Sequence, residues 1–279
     1  LAGSRFIHLM VSDLLWEAIR ERRAETRSTT RDVVVAALQQ YLGLDDAAFQ
    51  TSTIGAVMDG VYRGDTTVGE LCEHGDLGIG TFDELDGEMV MVDGATYRID
   101  AECRAHQASD DARTPFATVT HWIPKHSVDL APGTDLAGLQ STLEVLMSSH
   151  NYLYAVRAEC RFASIRVRSV APQEPGTRLV EATRSQTVRD FDGSEGTLVG
   201  FFTPSFLAHV GVPGLHLHFI TEGRDAGGHV LSLTVDRGTL MADETTRLTL
   251  ALPDTEAFRG AELAVDEDEL EVAETERGH

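Results

Sequence analysis

The sequence predicts a strand-rich α/β protein of the α+β type, preceded by a small helical arm. Three observations carry that expectation. From Phe49 onward, short runs of β-branched and aromatic residues are separated by Gly, Pro, Asn and Asp turns. Only one long amphipathic helix interrupts them, and no regular strand–helix–strand alternation is present, which disfavours a doubly wound parallel sheet. The 25 Gly and 8 Pro are spread along the chain rather than clustered, as a turn-rich sheet protein requires.

Taken in order, residues 5–11 read as a short strand. Ser12 or Asp13 can cap a helix running through Trp16 and Ile19 to about Ala24. Ser28 or Thr29 can cap a second, with Val33, Val34, Ala37, Leu38, Tyr41 and Leu42 on one stripe. A boundary near Asp45–Asp46 follows, giving an arm over residues 1–46 and a body over 47–279. In the body, Thr66–Leu71 looks like a short capped helix. Glu88–Val92 and Ala95–Ile99 alternate about Asp93-Gly94, a strong hairpin signal. Thr114–Trp122 is a β-rich run. Asp135–Met147 is the long helix, with Leu136, Leu139, Leu143 and Leu146 at helical spacing. Tyr152–Phe162, Ile165–Val170, Thr197–Phe202, Leu215–Ile220, Val230–Val235 and Arg247–Leu252 read as further strands. From Glu262 to Glu276 there are eight acids and no Lys or Arg, a pattern that is usually a solvated terminus.

The strand–helix–helix pattern of the arm resembles the ribbon-helix-helix module of small dimeric DNA-binding proteins. Its outward strand positions would be Arg5, Ile7 and Leu9. Ile and Leu cannot make the paired hydrogen bonds that read base edges, so the segment is read as a dimerisation arm. A helical hairpin merely appended to the body is the competing reading.

Charge limits the partners. The chain has 23 Lys+Arg against 45 Asp+Glu, a formal charge of −22, with a pI near 4.7. That field repels nucleic-acid phosphates and anionic lipid. No apolar run approaches the roughly 18–20 residues needed to span a bilayer. Cys72, Cys103 and Cys160 are odd in number and widely spaced, so neither a disulfide framework nor a cysteine metal site is expected. The first residues show no secretory leader, and a cytoplasmic setting is the expectation, with a leader removed upstream left open.

The sharpest chemical signal is Gly214-Leu215-His216-Leu217-His218-Phe219 followed by Gly227-Gly228-His229. On a strand His216 and His218 project to one face, roughly 6.5–7 Å apart. An antiparallel return through the glycine-rich turn can bring His229 beside them. Three imidazoles suit Zn²⁺, or Fe, Ni or Cu, better than Mg²⁺ or Ca²⁺. His8, His74, His106, His121, His126, His150 and His209 lack ligand spacing and read as surface or supporting groups.

Phe49-Gln50-Thr51-Ser52-Thr53, Leu77-Gly78-Ile79-Gly80-Thr81-Phe82, Leu85-Asp86-Gly87-Glu88 and Pro115-Phe116-Ala117-Thr118-Val119-Thr120 resemble blocks of the alpha-acetolactate decarboxylase family. So do Gly196–Phe201, Pro213–Ile220 and Gly227–Val230. The resemblance spans residues 49–276 and excludes the arm. It implies a mixed sheet plus a strongly curved second sheet carrying the metal site. It also implies a carboxy-lyase converting 2-acetolactate to (R)-acetoin and CO₂, with Zn²⁺ held by His216, His218 and His229. Glu88 and Arg168 match the family's active-site glutamate and arginine. A further family glutamate falls in the acidic tail, where Glu274 is the first choice and Glu271 and Glu276 compete; the tail would then fold back over the site.

The residue types suit that chemistry. Loss of CO₂ from a β-keto acid leaves an enediolate whose charge a metal can stabilise. An arginine stays cationic and can orient an anion. A glutamate can protonate one face of the enediolate. Sequence does not choose between Glu88, Arg168 and Glu274 as proton donor. Each also has a plain alternative: Arg168 as a surface ion-pair partner with Arg166 on the same face, and Glu88 as a solvated strand end. Two other function classes compete. One is a DNA-binding regulator built on the arm. The other is a histidine-metal oxygenase, which also uses His-x-His pairs but lacks the Gly-Ile-Gly-Thr-Phe and Leu-Asp-Gly-Glu blocks.

Overall fold

The computed structural model describes residues 8–26, 29–41, 47–263 and 266–274, and it divides into two compact units, Leu1–Asp46 and Ala47–His279. In the first unit, α1 (Asp13–Thr26) begins where Ser12 accepts a hydrogen bond from the Leu15 N–H, and α2 (Thr30–Tyr41) follows. The strand expected over 5–11 lies partly outside the described residues. Residues 8–12 are in no helix or strand, because an extended segment needs a neighbouring strand to satisfy its backbone.

The second unit runs β1 (Ala47–Thr51), α3 (Ile54–Met58), β2 (Thr66–Thr67), α4 (Val68–His74), β3 (Leu77–Thr81), β4 (Glu88–Val92), β5 (Ala95–Ile99) and β6 (Ala105–Gln107). Then come β7 (Arg113–Thr114), β8 (Ala117–Thr120), β9 (His126–Leu130), α5 (Leu136–Leu146), β10 (Leu153–Ser169), α6 (Leu179–Ala182), β11 (Thr187–Asp192) and β12 (Glu195–Thr203). It closes with β13 (Gly214–Thr221), β14 (Gly227–Thr245), β15 (Arg247–Ala251), α7 (Glu256–Gly260) and α8 (Glu267–Glu274).

Several elements follow directly from local chemistry. Asp93 and Gly94 both take positive φ, 54° and 75°, which gives the two-residue turn its fit to the strand twist. Thr67 and Glu70 form a reciprocal capping box at the start of α4. Asp135 accepts from the Gly138 N–H to start α5, whose Leu139 and Leu143 are fully buried. The β-run expected over 114–122 is instead broken at Pro115 and Phe116 into β7 and β8, since proline has no N–H to donate to a ladder.

Seven strands form a mixed sheet in the order β15-β1-β8-β3-β4-β5-β6, with β1 and β15 parallel and the other pairs antiparallel. The second sheet runs β11-β10-β12-β13-β14-β9, and β14 also pairs with β10. That extra pairing closes β10, β12, β13 and β14 into a ring, so the second sheet is strongly curved. Ile79 and Val90 of the first sheet share one core with Tyr154, Val156, Phe162 and Phe219 of the second.

Two expected strands, 152–162 and 165–170, are a single strand, β10, with register shifts against β14 after Arg161, Phe162 and Arg166. Such bulges bend a strand and raise its twist, which a closing sheet needs. β14 is likewise 19 residues long, beyond the expected 230–235. The acidic tail does not simply trail into solvent. It forms α8, with Leu270 and Ala273 buried against Ile54, Val57 and Leu179.

No described helix is long and apolar enough to cross a membrane, and all three cysteines are free.

The closed sheet leaves no room at its tightest contact. A Cβ on Gly200 of β12 would sit 1.9 Å from the His216 carbonyl oxygen of β13. Gly200→Ala is therefore expected to cost about 1–3 kcal/mol, read as a lower urea midpoint with an unchanged m-value.

Candidate metal centre

The site lies where the two sheets face each other. β13 presents His216 and His218, and β14 begins at Gly227 so that His229 pairs across from His218. Gly228, with φ of 155°, makes this approach possible, since a Cβ there would meet the Arg168 carbonyl at 2.5 Å. The donor atoms of His216, His218 and His229 lie within 4.8 Å of one another. Arg168 of β10 pairs across from His229, and Glu88 enters from β4 of the opposite sheet.

The hydrogen bonds assign the imidazole nitrogens. His218 Nδ1–H donates to the Met89 carbonyl at 2.8 Å, which leaves Nε2 as its free donor atom. His229 Nε2–H donates to the Glu274 carbonyl at 3.1 Å, which leaves Nδ1 free. A carbonyl can only accept, so both assignments follow from the partner, and both place a backbone acceptor behind a metal-facing imidazole. His216 Nε2 is 3.1 Å from His229 Nδ1, near the spacing of about 3.4 Å expected of two nitrogens on one tetrahedral ion. Burial pushes His218 down to about 4 and drives His216 and His229 well below the ordinary histidine range, with Arg168 adding for all three and neighbouring imidazoles for the latter two. All three are neutral at neutral pH, the form that binds metal.

Two carboxyls flank them. Glu88 Oε2 is 3.5 Å from His218 Nε2, and Glu274 Oε2 is 3.5 Å from His216 Nε2 and 3.7 Å from His229 Nε2. Glu274 Oε2 is buried and has no hydrogen-bond partner among the described residues. A carboxyl oxygen held without a partner beside the neutral imidazoles of His216 and His229 fits a cation at that point, because an unpaired buried acceptor is costly. The donor set therefore fits a transition-metal ion, with nitrogen ligands and a nearby carboxylate.

Arg168 ties the group together. Its Nη1–H donates to Glu88 Oε1 at 3.2 Å, its Nη2–H donates to the Ala273 carbonyl at 3.0 Å, and Nη2 lies 3.9 Å from Glu274 Oε1. Its Nε has no hydrogen-bond partner among the described residues. Burial raises the Glu88 carboxyl against the opposing pull of Arg168. Burial also pushes Glu274 up to about 7, with Arg168 opposing and Glu88 adding.

The plain alternatives for Glu88 and Arg168 fail on this geometry, since both are buried. Arg166, two residues away, is exposed and paired with Asp190, whereas Arg168 is buried. Both residues keep the regular alternation of β10 against β11, and the extra residue at the nearby register shift, Leu231, lies on β14. Of the three tail candidates, Glu274 is placed at the site, while the side chain of Glu271 and the whole of Glu276 lie outside the described residues. His106 is not idle either, donating to Asp100 at 2.8 Å.

Sequence reasoning missed the site's walls. A cleft of about 380 Å³ lies on one side of His216, His229 and Glu274, bounded by Leu136, Val212 and Leu231. On the other side a much smaller cavity is lined by Ile54, Leu85, Phe116, Val170 and Leu179 together with Glu88 and Arg168. The five come from separate segments; Leu85 and Phe116 lie within the sequence blocks that carry the resemblance, while Ile54, Val170 and Leu179 carry no motif spacing.

The sequence model of the alpha-acetolactate decarboxylase family matches residues 48–265. The chain is 43% identical over 231 residues to the alpha-acetolactate decarboxylase of Methanosarcina mazei, covering 82% of this chain and 80% of that protein. It is 36% identical over 216 residues to the Bacillus subtilis enzyme of the same name, covering 77% and 85%. Among solved structures, the alpha-acetolactate decarboxylase of Bacillus subtilis superposes with a TM-score of 0.80 at 34% identity, covering 82% of this chain and 99% of that one. A Staphylococcus aureus protein described as similar to alpha-acetolactate decarboxylase gives 0.78 at 30% identity, covering 82% and 100%.

Proposed function

The chain belongs to the alpha-acetolactate decarboxylase family, and we propose that His216, His218 and His229 hold its metal while Arg168, Glu88 and Glu274 handle the substrate. The protein is a carboxy-lyase that removes CO₂ from 2-acetolactate to give acetoin. The observation that supports this division of roles is the convergence of three neutral imidazoles, one buried guanidinium and two buried carboxyls from opposite sheets.

Zn²⁺ is the ion that three imidazoles with open positions suit best. When bound, it supplies Lewis-acid stabilisation of the negative charge that develops on the substrate oxygens. The remaining work falls to side chains. Arg168 stays cationic and holds the substrate carboxylate in register by its planar fork. As the C–C bond breaks, its electron pair passes to the ketone, and the resulting enediolate must gain one proton at carbon. Burial raises the Glu88 carboxyl against the pull of Arg168, which favours its protonated form and suits it to donate that proton. A donor fixed on one strand delivers it to one face, which yields the single enantiomer (R)-acetoin. Glu274, from α8, closes the opposite side of the site and shares the charge of Arg168.

Outside the catalytic unit, the arm is read as pairing with the arm of a second copy, giving a homodimer. Leu14, Leu15 and Trp16 of α1 are exposed, and a two-helix unit of this size cannot bury its own apolar surface. Residues 5–43 hold six arginines against five acids, whereas the whole chain carries −22. Two copies therefore meet with least repulsion through their arms.

Two outcomes test these readings. Arg168→Lys keeps the charge but loses the fork, and should lower kcat more than it raises KM. Glu88→Gln should lose rate or scramble the configuration of acetoin. Steady-state kinetics with chiral chromatography of the product measures both, and wild-type rate with one enantiomer in both variants removes these residues from the chemistry. Separately, deletion of residues 1–46 should lower the mass seen by light scattering while metal content stays intact. An unchanged mass favours an appended hairpin, and tight binding of a duplex at physiological salt by the full chain favours the regulator.

A further inference from the structure

We infer that Asp100 is a positioning residue for the metal centre: its carboxylate locks the β5–β6 turn into a clasp that fixes the strands bearing Glu88, Arg168 and His229 to one another. The inference rests on the reading that the three histidines hold a metal.

Asp100 is buried, and its carboxylate is filled by four donors. Oδ1 accepts from the N–H groups of Glu102 and Arg104 at 2.9 and 3.0 Å. Oδ2 accepts from Arg104 Nε–H at 3.1 Å and from His106 Nε2–H at 2.8 Å. Two backbone bonds close the same turn, Asp100 N–H to the Arg104 carbonyl and Cys103 N–H to the Asp100 carbonyl, at 2.9 and 2.8 Å. Together they hold Cys103 in the left-handed region at φ 59°, a conformation that a non-glycine residue keeps only when its surroundings enforce it. Burial works to raise the Asp100 carboxyl, but the bonds from Arg104 and His106 outweigh it and hold it down to about 2. The clasp is thus charged throughout the neutral range.

The turn reaches strands with site residues through its backbone contacts, besides a Cys103 Sγ contact to the Thr187 carbonyl of β11. The Cys103 carbonyl accepts from the Gly227 N–H at 3.1 Å, and the Ala105 N–H donates to the Asp225 carbonyl at 2.9 Å. Those bonds pin the start of β14, two residues before His229. The Ile99 carbonyl accepts from Ser169 Oγ–H at 3.0 Å, next to Arg168 on β10. Ile99 also pairs across from Glu88, and a Cβ on Gly87 would come within 2.0 Å of the same carbonyl. β4 and β5 belong to one sheet and β10 and β14 to the other, so the clasp sets the gap that Arg168 and Glu88 bridge. Sites of this kind tolerate displacements of only about 0.5 Å.

The test is cobalt(II) binding, followed by visible absorption and by competition with a chelator. Asp100→Ala, folded by circular dichroism, should bind cobalt about 10- to 100-fold more weakly, the usual effect of losing support behind a ligand, and should shift the visible band. Asp100→Asn keeps an oxygen for the two backbone donors and should recover most of the affinity. Folded Asp100→Ala with wild-type affinity and band overturns the clasp, whatever its melting temperature. If Asp100→Ala does not fold, the double variant Arg104→Ala/His106→Ala strips the Oδ2 donors from two half-exposed residues: weaker binding supports the clasp, and unchanged binding overturns it. Wild-type protein that takes up no cobalt overturns the metal reading beneath it.

Discussion

The architecture depends on one buried guanidinium. Arg168 lies between two carboxyls from different parts of the chain, Glu88 on the first sheet and Glu274 on the C-terminal helix, and its own strand belongs to the second sheet. A buried charge persists only when it is paired and hydrogen-bonded. Arg168 therefore forces the three elements to meet at one point. Its bond to the Ala273 carbonyl extends the constraint to the backbone of α8. One guanidinium is too little charge for two carboxyls, and burial drives both of them toward their neutral forms. A divalent ion held by the imidazoles would restore the balance and would leave the pocket net positive for an anionic substrate. In a chain of formal charge −22, such local positive potential is the condition for binding an anion at all.

The closed second sheet makes this arrangement rigid. Cross-strand register places His229 opposite His218 and Arg168 opposite His229, so three functional side chains share one short stretch of ladder. Strands hold side-chain direction with little residual freedom, and the carbonyls of Met89 and Glu274 fix the two imidazole orientations from behind. The first of those carbonyls belongs to the residue after Glu88, so the three-histidine group and Glu88 are positioned by the same strand.

Much of this was legible in the sequence, and the reasons are local. The His-x-His alternation, the Gly227-Gly228 turn before His229 and the Asp93-Gly94 hairpin each encode geometry within a few residues. The long Leu136–Leu146 helix is read from its own periodicity. What sequence could not show depends on contacts between distant segments. Arg168 is buried because Glu88 of β4 and the Ala273 carbonyl of α8 cover it, whereas Arg166 on the same strand stays exposed beside Asp190. The continuity of β10 is hidden at Ala163 and Ser164, which separate the two expected strands and fall at a register shift against β14. The acidic tail looks like a solvated terminus because only Leu270 and Ala273 among many acids reach the core.

The central claim is that Arg168, the two carboxyls and the three imidazoles form one charge-balanced site around a metal and an anion. A crystal structure of the metal-replete protein with a non-decarboxylating 2,3-dihydroxy acid tests it most directly. The expected result is a single anomalous peak within bonding distance of His216 Nε2, His218 Nε2 and His229 Nδ1, with the acid's carboxylate on the Arg168 guanidinium. A metal bound elsewhere, or an acid that leaves Arg168 engaged with Glu88 and the Ala273 carbonyl alone, would contradict it.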